Sequence, residues 1–412
     1  MSDPTKSDLI ALLKNGFAGW LQKPNSAIKL DVLTEPQIAA LYRALAHEQT
    51  DSFNFEQRDA LYQDFKQFNL SFNALLSDIL SSRLPIDGLL ANNNSQFFDR
   101  DENTEATEQA ILQAKGYVNS AHSLSSIDLT KIQAEMANCT FINRGIFNQE
   151  LSGVEIQEKI KNGSIKKYLG KNGDTFWAKD LNELCQKEYF QKLAFDPYIL
   201  STVAKYLGCC PIHVQTNLWF SFPTFQESNN LSSNAQLFHQ DKEFVKFIKV
   251  FIYLSDVGDD NGPHCYIESS HIDEAHTFGV AFSSRIPDNE ITQYYDANRI
   301  KKLIGPAGTI AFGDTSCVHK GLPVKTGYRA MLQLEYASSL HLSPVQPFAS
   351  LPKAALAANL PYSPQIVARI TANYNNENRA KYLQIVAANR APEPTLLRKL
   401  LRLGKRYAKG LK

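Results

Sequence analysis

The chain has 412 residues, of which 43% are hydrophobic and 21% charged, a composition that is ordinary for a globular protein with a full hydrophobic core. The formal net charge of +1 gives no general reason to expect nucleic acid as a partner. The six cysteines form no CxxC pair, which argues against a zinc knuckle or a disulfide scaffold and favours a reducing compartment.

The first residues lack the basic region and the apolar core of a signal peptide. The sequence also contains no apolar run long enough to span a bilayer. We therefore expect a cytoplasmic protein.

Residues 1–90 show helical periodicity. Leu9, Leu13 and Phe17 recur at helical spacing, and Pro36 fits the first turn of a second helix, where its missing N–H costs little. A further apolar stripe consists of Tyr62, Phe65, Phe68, Phe72 and Leu75. Core packing explains these stripes most simply, and we predict a helical N-terminal region.

A polar stretch rich in Asn and Asp follows at residues 91–103 and is typical of a linker or surface loop. We assign residues 91–126 to a linker and a helix. Helices predominate again from Ile127, and the last of them is predicted between Asp196 and Gly208, which suit a cap and a stop.

After Gly208 the hydrophobic period changes from helical to strand-like. Runs rich in β-branched and aromatic residues, bounded by Pro, Gly, Asn and Asp, occupy residues 212–222, 246–254, 308–312 and 329–336. Several such strands with long connections predict a double-stranded β-helix of the jelly-roll or cupin-like type. The predicted fold class is α+β, with this core at residues 127–340 and helices bracing it.

Residues 341–412 are predicted to form a helical C-terminal extension. Its last part, from Thr395 to Leu411, combines a leucine-rich stripe with seven cations up to Lys412 and contains no acidic residue. Such a basic amphipathic helix suits peripheral contact with an anionic membrane surface. A solvated helix that packs its apolar stripe on the domain is the equally simple alternative.

Chemistry is concentrated in a short stretch around His239 and Asp241. Residues two apart on a strand point to the same face, so this imidazole and this carboxylate can converge on one point. His319, brought in by another strand, would complete a two-His-one-carboxylate triad, which suits Fe(II) and leaves three coordination positions open. Taken singly, each residue is more simply a surface or loop residue, and the joint pattern is what favours a metal site.

Arg329 follows His319 after two turn-forming segments, so a hairpin could bring both residues into one cavity. A guanidinium fork holds a carboxylate with two parallel hydrogen bonds. His264 and His271 are rivals for the third ligand position, although His271 is more simply a residue that orders its loop.

As an ordered set, these motifs resemble the phytanoyl-CoA dioxygenase-like Fe(II)/2-oxoglutarate oxygenases. The resemblance covers about residues 127 to 337. It rests on His239-Gln240-Asp241, Leu254-Ser255-Asp256 with Asn261-Gly262-Pro263, Glu268-Ser269-Ser270-His271, Gly313-Asp314 with His319, and Arg329.

This resemblance implies that His239, Asp241 and His319 are iron ligands, that Arg329 pairs with the distal carboxylate of 2-oxoglutarate, and that Gln240 contacts the co-substrate. The implied cofactors are Fe(II), 2-oxoglutarate and O₂, with ascorbate as an accessory reductant. Relatives that halogenate lack the carboxylate, so the presence of Asp241 favours hydroxylation.

The sequence departs from the family pattern at Phe251, where Trp is common, at Glu268-Ser269, where Pro-Gly is usual, and at Lys320-Gly321, where a small hydroxyl is frequent. These departures leave the triad intact and leave the co-substrate contacts beyond Arg329 open. The expected activity is a dioxygenase that hydroxylates a small-molecule, lipid-linked or sugar substrate and releases succinate and CO₂. The alternative is a catalytically inactive jelly-roll binding protein that retains the metal site.

Overall fold

The computed structural model describes most of the central part of the chain and selected segments on either side. The described residues are 5–21, 30–48, 75–76, 79, 86–91, 94–143, 149–169, 175–223, 236–241, 244–272, 285–340 and 360–374. The predicted C-terminal helix and the aromatic stripe at residues 62–72 lie outside these ranges.

Helices precede the first strand and also lie between and after the strands, and several of them pack on one face of the large sheet. They are α1 (Lys6–Leu21), α2 (Glu35–Glu48), α3 (Asp87–Leu90), α4 (Glu102–Lys115), α5 (Ser126–Ala137), α6 (Gly153–Lys161), α7 (Leu181–Gln186), α8 (Glu188–Ala194), α9 (Pro197–Leu207), α10 (Asp288–Ile291) and α11 (Pro364–Ile370). Helix α9 confirms the predicted boundaries: the Asp196 side chain accepts from Tyr198 N, and Gly208 ends the helix at a φ of 78°.

The strands form two antiparallel sheets. They are β1 (Tyr117–Ser123), β2 (Thr140–Asn143), β3 (Glu150–Ser152), β4 (Thr175–Ala178), β5 (Ile212–Ser221), β6 (Phe247–Tyr253), β7 (His264–Ile267), β8 (Ile300–Leu303), β9 (Thr309–Gly313), β10 (His319–Gly321) and β11 (Arg329–Ala337). The large sheet has the order β1-β9-β6-β11-β5-β4-β2-β3 and the small one β10-β7-β8. These two facing sheets form the predicted jelly roll.

Strands β6 and β11 are buried along their whole length because both faces of the large sheet are covered. Val250 and Leu332 belong to a core shared with the bracing helices. Phe251, Tyr253 and Met331 belong to a second cluster, which also contains Tyr266 of the small sheet. The second cluster therefore fills the space between the sheets, where a jelly roll holds its ligands.

The N-terminal helices α1 and α2 do not stand apart from the jelly roll. Leu13 and Leu41 lie in one apolar cluster with Ile212, Phe247 and Ala337, which are residues of β5, β6 and β11. The helical N-terminal region thus packs on one end of these strands.

Strands β5, β6, β9 and β11 were predicted within two residues of their ends, whereas the seven-residue β1 and the strands of three or four residues were missed. Strand β1 enters the large sheet before the expected core boundary at residue 127, because it pairs with β9. Strands β2, β3 and β4 interrupt the region that was predicted to be mainly helical. Strands of three or four residues carry too little alternation to be distinguished from loops.

All six cysteines are buried thiols. None of the helices in the described part of the chain is long and apolar enough to cross a membrane.

The two sheets approach each other closely at Gly313 of β9. A Cβ at this position would overlap the Tyr266 hydroxyl and lie 2.8 Å from Tyr266 Cζ. Gly313→Ala is therefore expected to lower the free energy of unfolding by about 1–3 kcal/mol, as overpacking of a core does, in urea denaturation. Gly258→Ala is the control, since its nearest neighbour, Asn261 Oδ1, is 3.4 Å away. Equal stability of the two variants would mean that Tyr266 moves aside freely.

Candidate metal centre

The backbone holds the two imidazoles of the predicted triad side by side. His239 N donates to the His319 carbonyl at 2.9 Å, and His319 N donates to the His239 carbonyl at 2.8 Å. Directly opposed residues of an antiparallel pair present their side chains on the same face. The ring centroids accordingly lie 4.3 Å apart, and Tyr266 stacks on His319 with centroids 5.5 Å apart.

Asp241 joins this pair from two residues further along the same segment as His239. Its Oδ1 lies 3.5 Å from His239 Nε2, and its Oδ2 lies 3.6 Å from His319 Nε2. One donor atom from each of the three residues lies within 4.8 Å of the others. The structure therefore brings together the three residues that the sequence singled out.

Backbone carbonyls orient both rings. His239 Nδ1 lies 2.9 Å from the Leu237 carbonyl, and His319 Nδ1 lies 3.0 Å from the Cys317 carbonyl. A carbonyl oxygen can only accept, so Nδ1 carries the proton in each ring and Nε2 keeps its lone pair. Histidines that bind metals are held by such contacts, which fix the tautomer.

The electrostatics of the site favour the ligand form of each group. Burial lowers the pKa of His239 to about 3 and also lowers the pKa of His319, so both imidazoles are neutral. Burial alone would raise the pKa of Asp241, but Lys249 and the two imidazoles hold it well below its ordinary value. Neutral imidazoles and an ionised carboxylate are the states that bind metal.

Lys249 of β6 is part of this centre and was missed in the sequence. Its Nζ donates to Asp241 Oδ2 at 2.8 Å, and its side chain is only 9% exposed. Lysine is rarely buried without a partner. Its position in the apolar run Phe247–Tyr253 was therefore the signal that could have revealed it.

Arg285 is a second cation at the centre that no sequence motif marked. Ile286 and Phe238 exchange both backbone hydrogen bonds, at 2.8 and 3.1 Å. The preceding Arg285 thus lies opposite His239 and on the same face. Burial lowers the pKa of Arg285, whereas Asp241 acts to raise it.

Arg329 lies between the sheets, although not through the hairpin that was expected. Strand β10 belongs to the small sheet and β11 to the large one, so His319 and Arg329 lie on different sheets of the jelly roll. The buried guanidinium donates through Nη1 to the Gly262 carbonyl and through Nη2 to Ser221 Oγ at 3.3 Å. The expected hairpin was therefore wrong, and the shared cavity of His319 and Arg329 stays a prediction.

Gln240 has a partner in the protein itself. Its Nε2 donates to the Ser316 carbonyl at 2.7 Å, which anchors the segment that carries the triad. Its contact with a co-substrate stays a prediction.

The other histidines in the part of the chain that the structure describes do not belong to this donor group. His213 is fully buried and bonds Tyr374 and Thr216, as a core histidine does. His271 Nε2 lies 3.2 Å from the Gln113 carbonyl of α4, which agrees with a role in ordering its loop. His264 begins β7 and lies inside the jelly roll.

The donor set of His239, Asp241 and His319 fits Fe(II). Two neutral imidazoles and one carboxylate form a facial triad that leaves three positions for groups from outside the chain. Arg329 supplies a buried guanidinium that suits a carboxylate in the same interior. The residues present thus fit both iron and a dicarboxylate co-substrate.

A comparison with protein families matches residues 112–331, more than half of the chain, to the model described as phytanoyl-CoA dioxygenase. A search of curated proteins finds no match.

Solved structures show weaker likeness. The α-ketoglutarate-dependent epimerase SnoN from nogalamycin biosynthesis is 16% identical, with a TM-score of 0.39 over 57% of this chain and 84% of its own. HygX from Streptomyces hygroscopicus, solved with nickel, 2-oxoglutarate and hygromycin B, is 12% identical, with a TM-score of 0.39 over 56% and 86%. AviO1 from Streptomyces viridochromogenes Tue57 is 13% identical, with a TM-score of 0.36 over 58% and 96%. Likeness this low says nothing about the reaction.

Because Lys249 contacts Asp241, we expect the free energy of unfolding of a Lys249 variant to depend on whether a metal ion is bound. Lys249→Met leaves the Asp241 carboxylate, which is 19% exposed, without this ammonium, and breaking a buried pair from one side costs at most about 3–5 kcal/mol. A bound divalent ion replaces the missing positive charge. We therefore expect a large loss of unfolding free energy in EDTA and a much smaller loss with saturating Fe(II), measured by anaerobic urea denaturation.

Lys302→Met is the matched control, because Lys302 forms an exposed ion pair with Asp259 at 2.6 Å. Its effect should stay below about 1 kcal/mol in both conditions. If Lys249→Met lost the same free energy with and without Fe(II), Lys249 would not act through the charge of Asp241.

Proposed function

This chain belongs to the phytanoyl-CoA dioxygenase family, which makes it an Fe(II)- and 2-oxoglutarate-dependent oxygenase, and we propose that it hydroxylates an unactivated C–H bond of a small molecule. The proposed iron ligands are His239, Asp241 and His319, and Arg329 is the proposed anchor of 2-oxoglutarate. The substrate classes that we propose are small metabolites, lipid-linked intermediates and sugars.

The observation that carries the choice of hydroxylation is the carboxylate of Asp241 beside both imidazoles. As a metal ligand, this carboxylate would take the coordination position that a halide would need. With three protein donors, a bound Fe(II) would keep three positions for the co-substrate and O₂.

The chain contributes ligands, orientation and exclusion of water. His239 and His319 present Nε2 while the Leu237 and Cys317 carbonyls hold their Nδ1 protons. Bound together, Fe(II) and 2-oxoglutarate would supply the activation of O₂, so that one oxygen atom enters succinate as 2-oxoglutarate loses CO₂ and the other becomes the hydroxyl group of the product.

Arg329 pairs with the distal carboxylate of 2-oxoglutarate, and Ser221 adds a hydroxyl beside its Nη2. Phe251, Tyr253 and Tyr266 line the space between the sheets and keep water from the reacting groups. These residues thus orient the co-substrate and shield it.

The reaction itself is tested under ¹⁸O₂ with purified protein, Fe(II), 2-oxoglutarate and an extract of small metabolites. A hydroxylase releases ¹⁸O-labelled succinate and yields a metabolite heavier by one ¹⁸O atom, both seen by mass spectrometry. The alternative, an inactive binding protein, would bind Fe(II) and 2-oxoglutarate and release no succinate above the iron-only control.

Wild-type protein is expected to bind one Fe(II), and Asp241→Ala should weaken that binding at least about 100-fold. Changes outside the first coordination sphere already cost about 10–100-fold in affinity, so loss of a ligand costs more. Iron affinity is measured by anaerobic competition with a chromophoric chelator. Asp259→Ala, at an exposed carboxylate, is the control. Unchanged iron affinity in Asp241→Ala would remove the triad assignment.

Arg329→Lys keeps the positive charge and loses the planar fork. We expect the affinity for 2-oxoglutarate to fall about tenfold or more, the effect of one hydrogen bond to a charged group, while iron affinity stays the same. Anaerobic calorimetry on Mn(II)-loaded protein measures the co-substrate. Wild-type affinity in this variant would mean that another cation holds the carboxylate.

A further inference from the structure

His264 lies on β7, two residues before Tyr266, and on the same face of the small sheet as His319. In the small sheet Tyr266 pairs with His319, and His264 pairs with Gly321. Residues two apart on a strand share a face, so the His264 imidazole also points between the sheets. Its ring centroid lies 4.1 Å from that of Phe251 on the opposite sheet.

The His264 imidazole is buried, and one of its two ring nitrogens makes no hydrogen bond to the residues that the structure describes. His264 is 8% exposed, and its Nδ1 has no hydrogen-bond partner among the residues that the structure describes. Buried polar atoms nearly always have a partner, and an unsatisfied one destabilises the fold. A ligand that enters the jelly roll would supply what Nδ1 lacks.

Arg329 lies next to this imidazole. Its guanidinium donates to the carbonyl of Gly262, two residues before His264. Burial and the nearby Arg329 lower the pKa of His264 well below its ordinary value, so the ring is neutral. A neutral imidazole can donate one N–H to a carboxylate without adding charge to the interior.

The spacing along β7 fits a dicarboxylate. The cross-strand pair of His319 and Tyr266 lies at the metal end of the space between the sheets. The pair of Gly321 and His264 lies two residues away, about 7 Å along the strand. An extended five-carbon chain could span the distance between these two pairs, from the metal to Arg329. A hydrogen-bond donor at His264 would meet the distal carboxylate of that chain.

We propose that His264 donates from Nδ1 to the distal carboxylate of 2-oxoglutarate beside Arg329, and thereby makes the site selective for a dicarboxylate over a monocarboxylate keto acid. This inference rests on the proposed function, because it takes Arg329 as the anchor of the co-substrate. His264 is a specificity residue for the co-substrate and plays no part in holding the metal.

The test uses two probes of the same length, 2-oxoglutarate and 2-oxovalerate, which carries a methyl group in place of the distal carboxylate. Both are titrated calorimetrically into Mn(II)-loaded wild-type, His264→Leu and His264→Gln proteins. His264→Leu should bind 2-oxoglutarate about tenfold more weakly and 2-oxovalerate within about twofold of wild type. His264→Gln, which keeps a donor, should recover part of the loss.

His122→Leu, at a histidine on β1, is the matched control and should leave both affinities unchanged. Mn(II) affinity, measured for each variant, reports whether the centre has folded. Equal weakening of both keto acids by His264→Leu would show that the ring only packs, and wild-type affinity for 2-oxoglutarate would show that it makes no contact. Either result overturns the inference and leaves the proposed function standing. Failure of the wild type to bind 2-oxoglutarate would overturn both.

Discussion

The pair of backbone hydrogen bonds between His239 and His319 is the constraint on which the centre depends. It joins a short segment to the edge of the small sheet and fixes which face both imidazoles present. Because antiparallel pairing alternates faces, a shift of one residue would turn His319 away from the face that His239 and Asp241 share. The donors are therefore positioned by the sheet before any ion arrives, and little conformational entropy remains to be lost when an ion binds.

Charged groups inside the jelly roll are paired, and the pair at the centre is Asp241 with Lys249. The Asp241 carboxylate is mostly buried, and Lys249 contacts one of its oxygens from the large sheet. A single buried charge would be very unfavourable there, and the pair makes the metal-free state tolerable. Arg329 and Arg285 extend positive potential to either side, which suits an interior that receives an anionic co-substrate.

The residues of the candidate metal site were easier to predict from the sequence than the strand pairing that brings them together. His239 and Asp241 were found because two-residue spacing has a fixed meaning on an extended segment, and the long strands because their runs are continuous. The wrong hairpin between His319 and Arg329 shows the limit, since turn residues reveal that the chain reverses but not which sheet it then joins. Lys249, Arg285 and His264 take their roles from cross-strand neighbours distant in sequence, which single-sequence patterns do not contain.

Helices α1 and α2 share their apolar cluster with Ile212, Phe247 and Ala337, at the ends of strands that the family match includes. The match begins only at residue 112. The upstream helices are consequently joined to the common oxygenase core by a shared apolar cluster. A fragment trimmed to the matched residues would present these apolar strand ends to water and would tend to associate with itself. Any hybrid enzyme built on this scaffold therefore has to keep its own N-terminal helices.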